Sequence, residues 1–98
     1  MRRFILLLIF APWLATAPPQ SRDVGLVAPD GVGLKGTYFA ASRPGPAVLL
    51  MHMCNTTRRS WEPVARQLAA AGIGALMIDN RGFGDSGGPR FDPGQPDV

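Results

Sequence analysis

The chain has 98 residues, 46% of them hydrophobic, so it is long enough for at most one small domain and too apolar to be disordered throughout. Its net charge of +3 falls to +1 without Arg2 and Arg3, and no basic run is longer than Arg58-Arg59, so no nucleic-acid partner is expected. Because it has one cysteine (Cys54) and one histidine (His52), an internal disulfide is excluded, and no metal or other cofactor is expected.

The first 17 residues have the pattern of a secretory signal peptide. A positive Met1-Arg2-Arg3 precedes the apolar run 4–14, and Ala15-Thr16-Ala17 has the form of a cleavage site. We therefore expect export to the periplasm or the extracellular space. The apolar run is shorter than the roughly 20 residues of a membrane span. Since Pro18 disfavours cleavage at this place, one alternative is an uncleaved membrane anchor, and another is a buried N-terminal helix.

Residues 18–23 are predicted to be a linker, and residues 24–98 the folded domain. The segments 24–27 and 32–40 are predicted to be strands, separated by Ala28-Pro29-Asp30-Gly31. Asp-Gly between apolar stretches is a strong hairpin signal, because glycine supplies the positive φ that the turn needs. An antiparallel hairpin is therefore expected to open the domain.

A strand, a helix and a second strand are predicted over residues 47–78. The apolar run 47–52 is typical of a strand buried on both faces, and 73–78 is a second one. Thr57 or Ser60 would cap the intervening helix, and Gly72 would end it. The apolar face of this helix is predicted to consist of Trp61, Val64, Leu68 and Ala71. Together these elements predict one βαβ unit with parallel strands.

The segment 82–89, GFGDSGGP, contains two patterns that surround nucleophilic serines. Gly84-x-Ser86-x-Gly88 fits a nucleophile elbow, which requires a strand, a sharp turn and then a helix. The preceding strand ends well before Ser86, and the sequence that follows is too rich in glycine and proline to start a helix. The trypsin-like pattern GDSGGP needs a fold of more than twice this length. A fragment of such a protease is the less favoured interpretation.

The order of hairpin, βαβ unit and glycine-rich turn resembles the N-terminal part of the α/β-hydrolase superfamily. The resemblance rests on DGVGLKGTYF, on AVLLMH and on an Asp-x-Arg-Gly-x-Gly-x-Ser pattern. That pattern is met by Asp79, Arg81, Gly82, Gly84 and Ser86. Dienelactone-hydrolase-like and serine-aminopeptidase-like members look most similar. The resemblance implies an α/β fold of a hairpin followed by one βαβ unit, and it implies a truncated chain.

The resemblance also implies roles for the residues of the glycine-rich turn. In this family the serine of the turn is structural, so the hydroxyl of Ser86 is expected to bond nearby backbone. Asp79 and Arg81 are expected to pin the turn, as an ion pair with each other. Gly82 and Gly84 belong to the same structural turn. Asp79 as a catalytic acid is disfavoured, because the acid follows the nucleophile in this family.

For the loop after the third strand, the resemblance implies one backbone N–H of an oxyanion hole, which maps to Cys54. Met53 replaces the usual glycine before it. His52 is expected to orient the loop, and it is not the catalytic base. The nucleophile, the histidine and the acid are expected beyond residue 98. The reaction implied is hydrolysis of a small-molecule ester, lactone or amide.

Two further hypotheses remain from the sequence. One is a small, exported, non-catalytic module that binds a partner through an open sheet edge. The other is a reactive Ser86 or Cys54, including a Cys54–His52 dyad. No third group that would orient such a dyad is evident in the sequence.

Overall fold

A computed structural model describes residues 20–94 of the chain. The predicted signal peptide, residues 1–17, lies outside the described residues. In chain order the structure has β1 (Ser21–Val27), β2 (Gly33–Phe39), β3 (Ala47–Met51), a short 3-10 helix (Arg58–Trp61), α1 (Glu62–Ala70) and β4 (Gly74–Ile78). Over residues 20–94, no helix has both the length and the apolar composition to cross a membrane.

The predicted hairpin is confirmed, with a longer first strand than expected. β1 pairs antiparallel with β2, from Ser21 opposite Phe39 to Val27 opposite Gly33. The Gly31 N–H donates to the Ala28 carbonyl at 2.8 Å and so closes the turn, and Gly31 has a φ of 89°. The predicted linker over residues 18–23 is wrong at its last three residues, because Ser21 to Asp23 belong to β1.

The predicted parallel pair is also confirmed. The sheet has the order β1-β2-β4-β3, in which β2 is antiparallel to β4, and β3 is parallel to β4. Ala47 lies opposite Gly74, and Met51 lies opposite Ile78. Because the two strands run in the same direction, the loops that follow them leave the sheet at the same rim.

The two parallel strands differ in burial, which corrects the prediction for the first of them. In β4, Ala75 and Met77 are at most 1% exposed. In β3, Leu49 and Met51 are 54% and 58% exposed, so this strand is not buried on both faces. β4 lies between β2 and β3, whereas β3 forms the edge of the described sheet.

The predicted apolar face of helix α1 is right at Trp61 and Leu68 and wrong at Val64 and Ala71, which are exposed. Ala65 and Ala69 are fully buried, whereas Val64 is 40% exposed. The alanines lie against the core residues Phe39, Ala75 and Met77, and Trp61 and Leu68 flank that core. Small side chains spaced by four residues let the helix backbone approach the sheet closely, which a valine on that face would prevent.

Both predicted ends of the helical segment agree with the structure. The Thr57 side chain accepts a hydrogen bond from the Arg59 N–H and so caps the 3-10 helix. At the other end, Gly72 has a φ of 88°. The Ile73 N–H donates to the Leu68 carbonyl at 2.9 Å, which closes a Schellman motif. The chain therefore turns directly from α1 into β4.

Candidate functional site

Two segments follow the parallel strands at one rim of the sheet. We call residues 53–57 the β3 loop and residues 79–88 the β4 turn. The β4 turn contains Ser86, which is 3% exposed. Its hydroxyl donates to the Asp79 carbonyl at 2.5 Å and accepts from the Lys35 N–H at 2.8 Å. No helix follows Ser86 within the described residues, so this part of the chain lacks the geometry of a nucleophile elbow.

Two glycines allow the β4 turn to close on itself. Gly84 has a φ of 50°, and a Cβ there would overlap the Asp79 carboxylate. Gly82 has a φ of 83°, and a Cβ there would lie 2.5 Å from the Pro89 carbonyl oxygen. Both positions combine a backbone conformation that favours glycine with no room for a side chain.

A buried ion pair joins Asp79 to Arg58, and it was not predicted. The two side chains are 1% and 4% exposed. Oδ1 of Asp79 accepts from the Arg58 backbone N–H at 2.7 Å, and Oδ2 accepts from Nη1 of the same arginine. The Asp85 N–H also donates to Oδ2, at 2.9 Å. Both carboxylate oxygens are therefore bonded: Oδ1 to one backbone N–H, and Oδ2 to the charged guanidinium and a second backbone N–H.

The same arginine reaches the first two strands. Arg58 Nε donates to the Thr37 hydroxyl at 3.0 Å, and that hydroxyl donates to Asp23 Oδ1 at 3.0 Å. A hydrogen-bonded network thus runs from β1 through β2 to the end of β4. The guanidinium group of Arg58 is therefore held at Nε by Thr37 as well as at Nη1 by Asp79.

The environment of Asp79 keeps its carboxylate ionised. Burial by itself would raise the pKa of this group, but the N–H donors of Arg58 and Asp85 and the positive charge of Arg58 together lower it below 3.8. The pair is therefore charged at neutral pH.

The predicted ion pair between Asp79 and Arg81 is wrong. Arg81 instead binds Asp30 of the hairpin turn, with Nη1–Oδ2 and Nη2–Oδ1 distances of 2.5 and 2.9 Å. The hydrogen bonds from the Arg81 side chain and from the Val32 N–H lower the pKa of Asp30 to about 2. Asp30 in turn raises the pKa of Arg81. Arg81 is thus on the exposed side of the β4 turn and ties it to the hairpin.

His52 lies at the end of β3 with both ring nitrogens engaged. The Asn80 N–H donates to Nε2 at 2.9 Å, so Nε2 is the acceptor and Nδ1 carries the hydrogen. Nδ1 then donates to the Met53 carbonyl at 2.7 Å. The Asn80 side-chain amide donates to the His52 carbonyl at 3.1 Å. This histidine is 6% exposed and holds no free nitrogen for a neighbouring thiol.

The β3 loop leaves its own backbone donors free. None of its N–H groups donates a hydrogen bond to residues 20–94. Asn55 has a φ of 67°, and within residues 20–94 it is the one non-glycine residue whose φ is positive. Met53 is not in that conformation, so the replacement of glycine there introduces no backbone strain. The Cys54 side chain is exposed.

A cavity of about 710 Å³ lies between the β3 loop and the β4 turn. Its lining residues come from both segments and from the chain that follows: Cys54, Asn55, Thr56, Gly82, Phe83, Gly84, Arg90, Phe91 and Pro93. The rings of Phe83 and Phe91 stack at 5.0 Å, and Phe83 meets the His52 ring edge-on at 5.1 Å. One wall of the cavity is therefore aromatic. In the described part of the chain, no group of three His, Cys, Asp or Glu residues is arranged to hold a metal ion.

Some residues of this site were predicted from the sequence, and others were not. The residues that were predicted and that lie together at the rim of the sheet are Cys54, His52, Asp79, Gly82, Gly84 and Ser86. Arg58 and Asn80 were missed as site residues. For Arg58, the predicted cap at Thr57 was the available signal, because it places the next residue at the start of the helical segment. The charge of the side chain does not distinguish Arg58 from Arg59.

Comparison with known proteins places this fold. No family model matches the chain. Among solved structures, the α/β-hydrolase GrgF from Penicillium sp. superposes with a TM-score of 0.65 and 38% identity, over 72% of this chain and 25% of that one. An epoxide hydrolase from an endophytic Streptomyces gives 0.63 and 32%, over 72% of this chain and 20% of that one. An esterase of Pyrococcus furiosus gives 0.63 and 25%, over 74% and 30%. These neighbours show that the chain is related to the α/β-hydrolase superfamily.

The same Penicillium protein is also a sequence relative. The polyketide transferase grgF is 38% identical over 80 residues, which are 80% of this chain and 27% of that protein. An uncharacterised protein of Mycobacterium tuberculosis is 32% identical over 87 residues, or 87% of this chain and 29% of that protein. The chain thus spans less than a third of the length of the curated relatives it matches.

Proposed function

We propose that the chain is the N-terminal part of an exported α/β-hydrolase that cleaves a small-molecule ester, lactone or amide. In this proposal the chain contributes one oxyanion-hole donor, the backbone N–H of Cys54. The nucleophile, the catalytic histidine and the acid belong to the rest of the whole protein, beyond residue 98. The esterase and the epoxide hydrolase among the structural neighbours support hydrolytic chemistry.

The observation that carries the proposal is the unbonded N–H of Cys54 beside the cavity. In sheets of this kind, ligands bind at the carboxyl ends of the parallel strands, where this donor lies. Removing one oxyanion donor typically lowers kcat by about 10² to 10³. A preorganised N–H that no protein acceptor uses is available to a substrate carbonyl as negative charge develops on its oxygen.

Two residues at the rim are assigned no part in bond cleavage. Both ring nitrogens of His52 are bonded to backbone groups, Nδ1 to the Met53 carbonyl and Nε2 to the Asn80 N–H, so it has no free lone pair to accept a proton. Ser86 is buried, and its hydroxyl is engaged as both donor and acceptor. We therefore propose that the first orients the β3 loop and the second stabilises the β4 turn.

The exposed apolar strand supports a larger parent domain. Parallel sheets are found covered on both faces, and an exposed apolar edge strand favours association. Leu49 and Met51 of β3 are more than half exposed in the described chain. We propose that further elements of the whole protein cover β3, as needed to complete a catalytic domain. The dienelactone-hydrolase-like or serine-aminopeptidase-like branch stays a prediction.

The proposal is tested with the complete reading frame, expressed with and without residues 1–17. We expect the whole protein to hydrolyse at least one of p-nitrophenyl acetate, dihydrocoumarin or an amino-acid p-nitroanilide. We also expect the form with residues 1–17 to be recovered outside the cytoplasm. If the nucleophile is a serine, a fluorophosphonate probe will label it outside this chain. The proposal is contradicted if none of the three substrates is hydrolysed, or if the fluorophosphonate probe labels Ser86.

A further inference from the structure

We propose that Arg58 is a positioning residue for the Cys54 N–H. Arg58 and His52 hold the two ends of the β3 loop against two consecutive residues, Asp79 and Asn80, at the end of β4. The pair of contacts fixes where the loop, and with it the Cys54 donor, lies relative to the cavity. This inference rests on the proposed function, because it concerns the geometry of the oxyanion donor.

The first end of the loop is held by Asn80. Its backbone N–H donates to His52 Nε2 at 2.9 Å, and its side-chain amide donates to the His52 carbonyl at 3.1 Å. The ring of His52 also donates to the Met53 carbonyl at 2.7 Å, which fixes the first peptide of the loop. The chain therefore leaves β3 along a path set by three hydrogen bonds.

The second end is held by Asp79. One carboxylate oxygen accepts the Arg58 backbone N–H at 2.7 Å, and the other accepts Nη1 of the same side chain. The bond from Nε to Thr37, at 3.0 Å, prevents the guanidinium from rotating away. A residue whose backbone and side chain both bind one carboxylate defines the position of the main chain more tightly than a surface pair does.

Apart from these two contacts, the hydrogen bonds of the loop lie within the loop itself or join Thr57 to the 3-10 helix that follows it. The Thr56 hydroxyl donates to the Met53 carbonyl at 3.0 Å, which is a bond within the loop itself. Within residues 20–94, no backbone N–H of residues 53–57 is used. The position of the Cys54 donor therefore depends on the two contacts to β4. The second contact also includes Asp85, at 3.2 Å from Arg58 Nη1, so it couples the loop to the β4 turn as well as to the end of β4.

Arg58→Met in the whole protein is the main test, and Arg59→Met is its matched control. Arg59 is the next residue and has the same side chain, but it is exposed. Because a misplacement of about 1 Å costs about 10² in rate, we expect kcat to fall by about 10- to 100-fold in Arg58→Met, with KM within about threefold. The control is expected to stay within about twofold in both. Equal kcat in the two variants overturns the proposal.

Arg58→Lys keeps the charge but loses the forked contact to Asp79 and Thr37 together, so it provides a second variant if Arg58→Met does not fold. We expect a folded protein with a lower kcat and a crystal structure in which the Cys54 nitrogen moves by about 1 Å relative to the β4 turn. An unmoved nitrogen contradicts the positioning role, whether or not the enzyme is active. If the unmodified protein hydrolyses nothing, the proposed function fails by itself, and the crystal structure still decides on the position of the loop.

Discussion

The β3 loop and the β4 turn leave the same rim of the sheet, but they are held in opposite ways. The turn is bonded internally, with N–H groups of Phe83, Ser86 and Asp85 all donating within it. It is also bonded to β2, through Lys35 and Gly33. The loop is held at its ends, and its backbone donors bind nothing in the described part of the chain.

This difference in hydrogen bonding shows that polar groups serve two purposes at this rim, to stabilise the fold and to remain available to a ligand. In the turn, the buried side chains of Asp79 and Ser86 are fully hydrogen-bonded within the protein, so they stabilise the fold and offer little to a ligand, whereas Asn80 Oδ1 is buried without a partner in the described residues. In the loop, donors that face no protein acceptor remain available beside a cavity. The β4 turn contains the nucleophile-like sequence around Ser86, and the β3 loop contains Cys54. Of these two segments, the β4 turn has more of its polar groups engaged in hydrogen bonds within the protein. The donor proposed to act lies in the other segment.

The largest effect is expected from removal of the free donor. Cys54→Pro deletes the N–H, and Cys54→Ala keeps it while removing the thiol. If the donor stabilises an oxyanion, kcat of the whole protein falls by about 10² to 10³ in the proline variant only. Steady-state kinetics with a p-nitrophenyl ester measures this, and circular dichroism checks that both variants are folded. A similar loss in both variants would instead assign the effect to the thiol.

An intermediate effect is expected from the bonded segment. Gly84→Ala places a methyl group onto the Asp79 carboxylate and disrupts the buried pair with Arg58, so we expect a loss of about 3 kcal/mol or more in the free energy of unfolding. Gly31→Ala is the control, because Gly31 also has a positive φ but would place its Cβ in open space. Its cost is about 1 kcal/mol. Urea denaturation of the whole protein compares them, and equal losses would show that backbone strain alone is responsible.

The smallest effect concerns the exposed ion pair between the β4 turn and the hairpin. Arg81→Met removes the donor that holds the pKa of Asp30 at about 2, so an NMR titration should find this pKa shifted toward the ordinary value of 3.8. Because the folded-state pKa is lowered, the pair stabilises the fold above pH 3.8, and its contribution is lost as the pH falls toward 2. The variant and the unmodified protein should therefore differ slightly above that range and converge below it. An unchanged Asp30 pKa contradicts the assignment.

The hairpin and the parallel pair were predictable because their signals are local. Asp30-Gly31 specifies a tight turn, and the short apolar runs at 47–52 and 73–78 flank a helix that ends at Gly72. Each of these features depends on residues that are neighbours in the chain, so the physical reason for it is visible in a short window of sequence.

The errors have tertiary causes. Asp79 binds an arginine 21 residues before it in the chain rather than one two residues after it. The charges of Arg58, Arg59 and Arg81 are alike in the sequence, and only the packed geometry selects among them. The helix face was predicted only in part for a related reason: Trp61 and Leu68 pack against the core, but closeness to the sheet favours Ala65 and Ala69 over a bulkier side chain. The exposure of β3 depends on its place at the sheet edge, which strand order decides.

Because the β3 loop is anchored at its two ends, its amino-acid composition can vary without weakening the sheet. Residues 53–57 contribute no side chain to the described core, and the groups that hold the loop at β4 are Asp79 and Asn80. A library that varies residues 53, 54 and 56 while keeping His52, Asn55, Thr57 and Arg58 would therefore reshape one rim of the cavity without changing the scaffold, and this short stretch is where directed evolution of selectivity should begin.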